Sequence, residues 1–172
     1  AGRVKSSSGA PAAAWLRQRD YPVTFLVMGF PVIERYRHQA QELGLTPADV
    51  IFTGKTYYEE APKYLGLGDV AIAPKISATE GSGKILNYMA MALPTVAYDT
   101  QVSREYLGKL GIYASPMGDA EALAKAVAFP LRNPEVGREL GEKLRWRAAE
   151  HFSWERMGRS LLRLYQTLWK ES

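Results

Sequence analysis

Asp69-Val70-Ala71-Ile72-Ala73-Pro74-Lys75-Ile76-Ser77-Ala78-Thr79-Glu80-Gly81-Ser82-Gly83-Lys84-Ile85-Leu86-Asn87-Tyr88-Met89-Ala90-Met91-Ala92-Leu93-Pro94-Thr95-Val96-Ala97-Tyr98 carries two apolar runs joined by a loop and a helix. The first run, 70–74, is apolar without alternation, as in a strand covered on both faces. Residues 76–83 are small, polar and glycine-bearing, which marks a loop. Residues 84–92 are apolar almost all round and predict a buried helix. Leu93-Pro94 breaks that helix, and 95–98 is the next strand. A strand, a crossover helix and a second strand place the two strands parallel and the crossover right-handed.

The same alternation extends both ways from this segment. Upstream, strands are predicted at 23–28 and 50–53, with Gly54 ending the second. Helices are predicted at 12–19, 32–43 (closed by Gly44) and 57–65. Downstream, Ser103 caps a short helix to Lys109, and 111–114 is a fifth strand. Asp119 caps a helix over 120–128. Two helices, 134–150 and 154–169, complete the chain. Strands recur about every 20 residues, which is the signature of an α/β fold: a Rossmann-like open parallel sheet with helices on both faces. One domain is expected over 1–172. Its first strand should precede the 12–19 helix, and Ala1-Gly2-Arg3-Val4 alone is there to supply it, so that strand is read as truncated.

The composition limits the chemistry. The chain has 172 residues, 47% hydrophobic and 23% charged, an ordinary globular balance. It has no cysteine, which removes disulfides, thiolate metal sites and cysteine nucleophiles. Its two histidines, His38 and His151, lack a partner pattern and read as structural, and no metal is expected. The net charge of +4 is mild, and the basic cluster at 138–147 is interleaved with glutamates, so nucleic acid is not an expected partner. An anionic small ligand suits the charge better. No apolar stretch is long enough to span a bilayer and no secretory signal is visible, so the expected setting is the cytoplasm. Any peripheral membrane contact would lie in a missing half.

In an open parallel sheet, ligands bind beyond the carboxyl ends of the strands. The loop there with the clearest chemistry is Thr79-Glu80-Gly81-Ser82-Gly83-Lys84. Gly81 and Gly83 allow close backbone approach, and the N–H groups of Gly83, Lys84 and Ile85 would point at an anion. Alone, the pattern is equally a glycine turn with a solvated lysine. It lacks the spacing of a Walker loop. Lys55 and Lys75 follow strand ends and could meet phosphate. Tyr57 and Tyr58 could stack on a base but read better as half-buried packing, and Trp146, Trp154 and Trp169 read as core anchors.

Several segments in order resemble the donor-binding, C-terminal domain of GT-B-type retaining glycosyltransferases of the group 1, glycogen-synthase-like family. Val27-Met28-Gly29-Phe30-Pro31 resembles its strand and Gly-x-Gly-Pro. Val50-Ile51-Phe52-Thr53-Gly54 resembles its V-x-F-x-G. Tyr64-Leu65 through Pro74 resembles Y-x-x-A-D-v-x-v-x-P-S. Glu80-Gly81-Ser82-Gly83, then residues 88–97 and Asp99, resemble E-G-F-G and E-A-M-A-x-G-x-P-V-V-A-x-D. His151-Phe152-Ser153-Trp154-Glu155 resembles its F-S-W-e.

The resemblance implies a site for a nucleotide-diphosphate sugar, used as substrate with no separate cofactor. Glu80 would contact the donor sugar. Gly81, Ser82 and Gly83, with Lys84 and Ile85, would hold the diphosphate. Asn87 would hold the ribose, Gly54, Lys55 and Thr56 the base, and Arg3 the diphosphate again. The acceptor would sit on an N-terminal domain absent from this chain, so 1–172 alone should not turn over. Two departures stand out. Asn87 replaces the family's second glutamate, and the pair is seven residues apart instead of eight; Lys84-Ile85-Leu86-Asn87-Tyr88-Met89-Ala90 also resembles the family's K-x-x-E-Y-M-A form, which lacks the first glutamate and would leave Glu80 a loop residue. The two departures support an alternative, a degenerate domain serving as a non-catalytic interaction module. A Rossmann-type dehydrogenase half is disfavoured, because Gly29-Phe30-Pro31 lacks the dinucleotide fingerprint.

Overall fold

The computed structural model describes residues 9–29, 31–77 and 80–171. The truncated first strand, Arg3, Phe30 and Thr79 lie outside the described residues. The element order is α1 (Gly9–Arg17), β1 (Phe25–Met28), α2 (Ile33–Glu42), β2 (Val50–Gly54), α3 (Ala61–Leu65), β3 (Ala71–Ala73), α4 (Gly83–Ala90), β4 (Thr95–Tyr98), α5 (Gln101–Leu107), β5 (Ile112–Ala114), α6 (Ala120–Arg132), α7 (Pro134–Phe152) and α8 (Trp154–Glu171). Short 3-10 turns occupy Tyr58–Glu60 and Gly108–Leu110. All strand pairs are parallel, as the crossover spacing requires.

The strands form two groups. β1 pairs with β2, and β3, β4 and β5 pair in that order. Among the described residues β1 and β3 do not pair with each other. The continuously apolar run at 23–28 reads as a strand buried on both faces, and the structure corrects that reading. Leu26 and Val27 stay exposed, because only the β2 edge of β1 is occupied. Helix α1 ties the groups together. Its Ala12 and Leu16 join the core with Val96, Tyr98 and Leu123. Its Ala13 and Ala14 pack with Ala40, Leu45 and Val50. A third cluster sets Ile85 and Met89 of α4 against Ala73, Ala97 and Leu144.

Local signals act mostly as expected. Gly44 has φ +72°, and Leu45 N–H donates back to the Ala40 carbonyl, so the glycine closes α2. Asp119 caps α6 by accepting from Ala122 N–H at 2.7 Å. Other expectations need correction. Thr100, not Ser103, caps α5: its hydroxyl accepts from the Ser103 N–H at 3.1 Å. The 57–65 helix is a 3-10 turn followed by α3, since Pro62 takes a first-turn position where no N–H is needed. Trp146, Trp154 and Trp169 are not core anchors; they are 65%, 89% and 85% exposed. Tyr57 and Tyr58 are not half-buried packing either; both are exposed, at the N-cap and first position of the 3-10 turn.

Candidate functional site

β3 ends at Ala73, and α4 starts at Gly83. The segment between them, with the start of α4, lies at the carboxyl ends of the strands. It lines a cavity of about 1040 Å³ that also touches the edges of β1 and β3. Pro74, Lys75, Glu80, Ser82, Lys84 and Tyr88 all border this space. Sequence reasoning placed the site on this loop, and the structure puts a cavity beside it.

The start of α4 breaks the usual helix rules. Ser82 sits at the N-cap, yet its side chain caps nothing. No acidic residue stands in the first turn. Ser82 is only 4% exposed, and its hydroxyl has no hydrogen-bond partner among the described residues. A buried hydroxyl left unpaired costs free energy, so such a group calls for an explanation. Lys84 places a cation in the first turn, where the helix dipole disfavours one. Burial, then the charge of Lys75, pull the Lys84 pKa below its ordinary value, although more than a third of the residue stays open. Every one of these features is relieved by an anion.

Of the three amides expected to face a ligand, those of Gly83 and Lys84 have no hydrogen-bond partner among the described residues. Ile85 N–H instead donates to the Ser82 carbonyl at 2.9 Å, and its side chain is core. A Cβ on Gly83 would meet nothing within 4 Å, so the backbone there is open to approach. A Cβ on Gly81 would lie 3.3 Å from the Tyr106 hydroxyl.

Lys75 organises the loop. Its ammonium donates to the Gly81 carbonyl at 3.0 Å and pairs with Glu80 at 2.9 Å. The hydrogen bond from Lys75, aided by its charge, holds the Glu80 carboxyl below its ordinary pKa. Glu80 is exposed, and its amide donates to Ser77 Oγ at 3.2 Å. Lys75 thus has a larger part than a solvated lysine would.

Asn87 is half-buried one turn into α4. Its side-chain carbonyl accepts from the Tyr58 hydroxyl across a long 3.3 Å contact. The turn after β2 therefore meets α4, a pairing that spacing in sequence gave no means to find. Gly54 has φ +77° and bends the chain out of β2, and its carbonyl accepts from Gly29 N–H at 3.1 Å. Lys55 lies 5.4 Å from the Tyr57 ring centre. Residues 80–84 line the cavity, whereas Gly54, Lys55, Tyr58 and Asn87 are not among its lining residues. Asp99 does not point into it. Both its oxygens are taken by Arg104, at 2.5 and 2.6 Å.

Away from this site, His38 pairs with Glu42 at 3.3 Å on the surface of α2, and His151 stands edge-on to Phe152. The basic run on α7 is tied to its own glutamates, Arg138 to Glu135 and Lys143 to Glu139. Among the described residues no group of His, Asp and Glu is arranged to hold a metal, and no helix is long and apolar enough to cross a membrane.

Residues 10–133 match the model of a family described as glycosyl transferases group 1. Comparison with curated proteins gives no match. Among solved structures, the chain is similar to sucrose-phosphate synthase from Thermosynechococcus elongatus, with 24% identity and a TM-score of 0.83 over 99% of this chain and 45% of that one. A glycosyltransferase from Rickettsia africae gives 20% identity and a TM-score of 0.83 over 99% of this chain and 47% of that one. Anabaena HepE in complex with UDP and glucose gives 17% identity and a TM-score of 0.80 over 96% of this chain and 46% of that one. The chain thus spans about half the length of these three structures.

Proposed function

The chain belongs to the group 1 glycosyl transferases, and on that premise we propose that it is the donor domain of a retaining enzyme. It binds a nucleotide-diphosphate sugar and works with an N-terminal domain that holds the acceptor. One observation carries the reading: the start of α4 gathers a buried hydroxyl and two amides without partners among the described residues, and the Lys75 and Lys84 ammonium groups. That set of donors suits a diphosphate. Anabaena HepE, which shares the fold, is a UDP and glucose complex, which favours this class of ligand.

In this reading Gly83, Lys84 and Ser82 bind the diphosphate and stabilise it as it departs. Glu80 meets sugar hydroxyls. Asn87 meets the ribose as a neutral amide, and so more weakly than a carboxylate would. The Gly54–Lys55 turn borders the base. Arg3, outside the described residues, adds a second phosphate contact. The protein's own cations and helix dipole balance the charge, so the proposal includes no metal. With half a cleft, the isolated chain binds but does not turn over.

A second reading, an interaction module, is favoured by α8, whose apolar side chains stay uncovered. A titration with UDP, GDP, ADP and their sugar conjugates separates the two readings. Donor binding predicts amide shifts at residues 81–85 and near Lys55, at about millimolar affinity, or ~4 kcal/mol. No shift with any nucleotide up to tens of millimolar would overturn it in favour of the interaction module.

A further inference from the structure

We propose that the Lys75–Glu80 ion pair is a latch: phosphate arriving at the start of α4 takes Lys75 as its partner and so frees the Glu80 carboxylate for the rest of the ligand. The inference rests on the donor reading above and assigns a positioning role to Lys75. Three observations carry it. Lys75 is bonded to Glu80 at 2.9 Å and to the Gly81 carbonyl at 3.0 Å, and both residues border the cavity. Lys75 also lies near enough to Lys84 for its charge to be felt there. Two ammonium groups and a helix N-terminus therefore share one carboxylate, and among the described residues Lys84 has no ion pair. The positive charge is in excess even with the latch closed.

A diphosphate brings more negative charge than Glu80 and can accept from Lys75, Lys84, the Ser82 hydroxyl and the α4 amides together. Glu80 competes with one carboxylate through a largely exposed ion pair, which is a weak interaction in water. The incoming phosphate also repels Glu80. Because its side chain is exposed, it can swing away without disturbing the core. The bond from Lys75 to Gly81 O keeps the loop in place during the exchange.

The latch makes an unusual prediction: removing a site carboxylate strengthens phosphate binding. The experiment measures affinity for inorganic pyrophosphate, UDP and UDP-glucose by calorimetry. The proteins are the wild type, Glu80→Gln, Lys75→Met and the double variant, with each melting temperature recorded. Glu80→Gln should bind pyrophosphate and UDP about two- to fivefold more tightly, the range expected when a weak exposed pair no longer competes. The same variant should lose any advantage of UDP-glucose over UDP. Lys75→Met should bind pyrophosphate about tenfold more weakly. In the Lys75→Met background, Glu80→Gln should gain clearly less for pyrophosphate than in the wild type, because only the direct repulsion is left to relieve. If the wild type binds UDP but Glu80→Gln binds pyrophosphate no more tightly, the latch is overturned and the donor reading stands. If none of the four proteins binds either UDP or pyrophosphate, both fall. The Glu80→Gln arm leaves Lys75 intact, so a fold defect in Lys75→Met does not obscure the result.

Discussion

Asp49 illustrates how single residues here depend on local geometry. One of its oxygens accepts from the Thr46 hydroxyl at 2.6 Å and from the Thr46 N–H at 2.7 Å. The hydroxyl bond first, then the amide bond, hold the Asp49 pKa below its ordinary value, with a smaller contribution from Arg17. Asp99 is lowered by its bond to Arg104, and Glu139 by its bond to Lys143. All three shifts have the same sign. Each contributes stability that is fully present above the unfolded carboxylate pKa, about 4, and is lost as pH falls through the lower folded value. Urea midpoints should therefore be level from about pH 7 to 5 and fall below about pH 4, and Asp49→Asn should make the fall shallower. At the site, Glu80, Gly81, Gly83 and Lys84 were legible as a motif because they adjoin in sequence. The unpaired state of Ser82 Oγ and the Tyr58–Asn87 contact were not, since both depend on what the fold brings alongside.

At the scale of elements, α4 is held in register from its far end. After α4 the chain turns through Ala92, which has φ +56°, and then enters β4. Helix α7 crosses this turn at Gly141, where a Cβ would come within 1.9 Å of the Ala92 carbonyl oxygen and 2.8 Å of its carbon. Both contacts are with backbone, so no side chain can yield. Gly141→Ala should destabilise the protein by about 3 kcal/mol, read as a lower urea midpoint at unchanged slope. The wild-type stability remaining would show that α7 can slide instead. The periodic strands and helices around this contact were readable from their apolar patterns. The contact was not, because Gly141 sits in an ordinary polar helix and carries no local signal. The same limit explains α5, where Thr100 and Ser103 are both good caps and the backbone dihedrals choose between them.

At the scale of the molecule, α8 is the outlier. Every described side chain from 154 to 169 is exposed. Trp154, Met157, Leu161, Leu164, Tyr165 and Trp169 fall on one side of the helix, and Arg156, Arg159 and Arg163 on the other. Such a face is expected to be covered by something, which agrees with the proposal of a second domain. Replacing Leu161 and Leu164 with Glu should change stability by less than about 0.5 kcal/mol, as for open surface positions. It should also reduce self-association in light scattering. A large loss of stability would instead mean that α8 packs on its own chain. The cavity between β1 and β3 belongs to this scale as well. The apolar runs at 23–28 and 70–74 gave both strands, but pairing is decided between strands, not within them.

The sequence by itself determined the α/β alternation, the parallel crossovers, the glycine loop at the start of α4 and the family. These follow from residues near one another along the chain, where periodicity, capping and motif spacing act. Only the tertiary structure decided which strand edges pair, that the tryptophans of α7 and α8 face outward, that Lys75 joins Glu80 to Gly81, and that the Ser82 hydroxyl is buried without a partner. Burial and long-range contact depend on what packs against a residue, and apolar character or charge alone does not specify that neighbour.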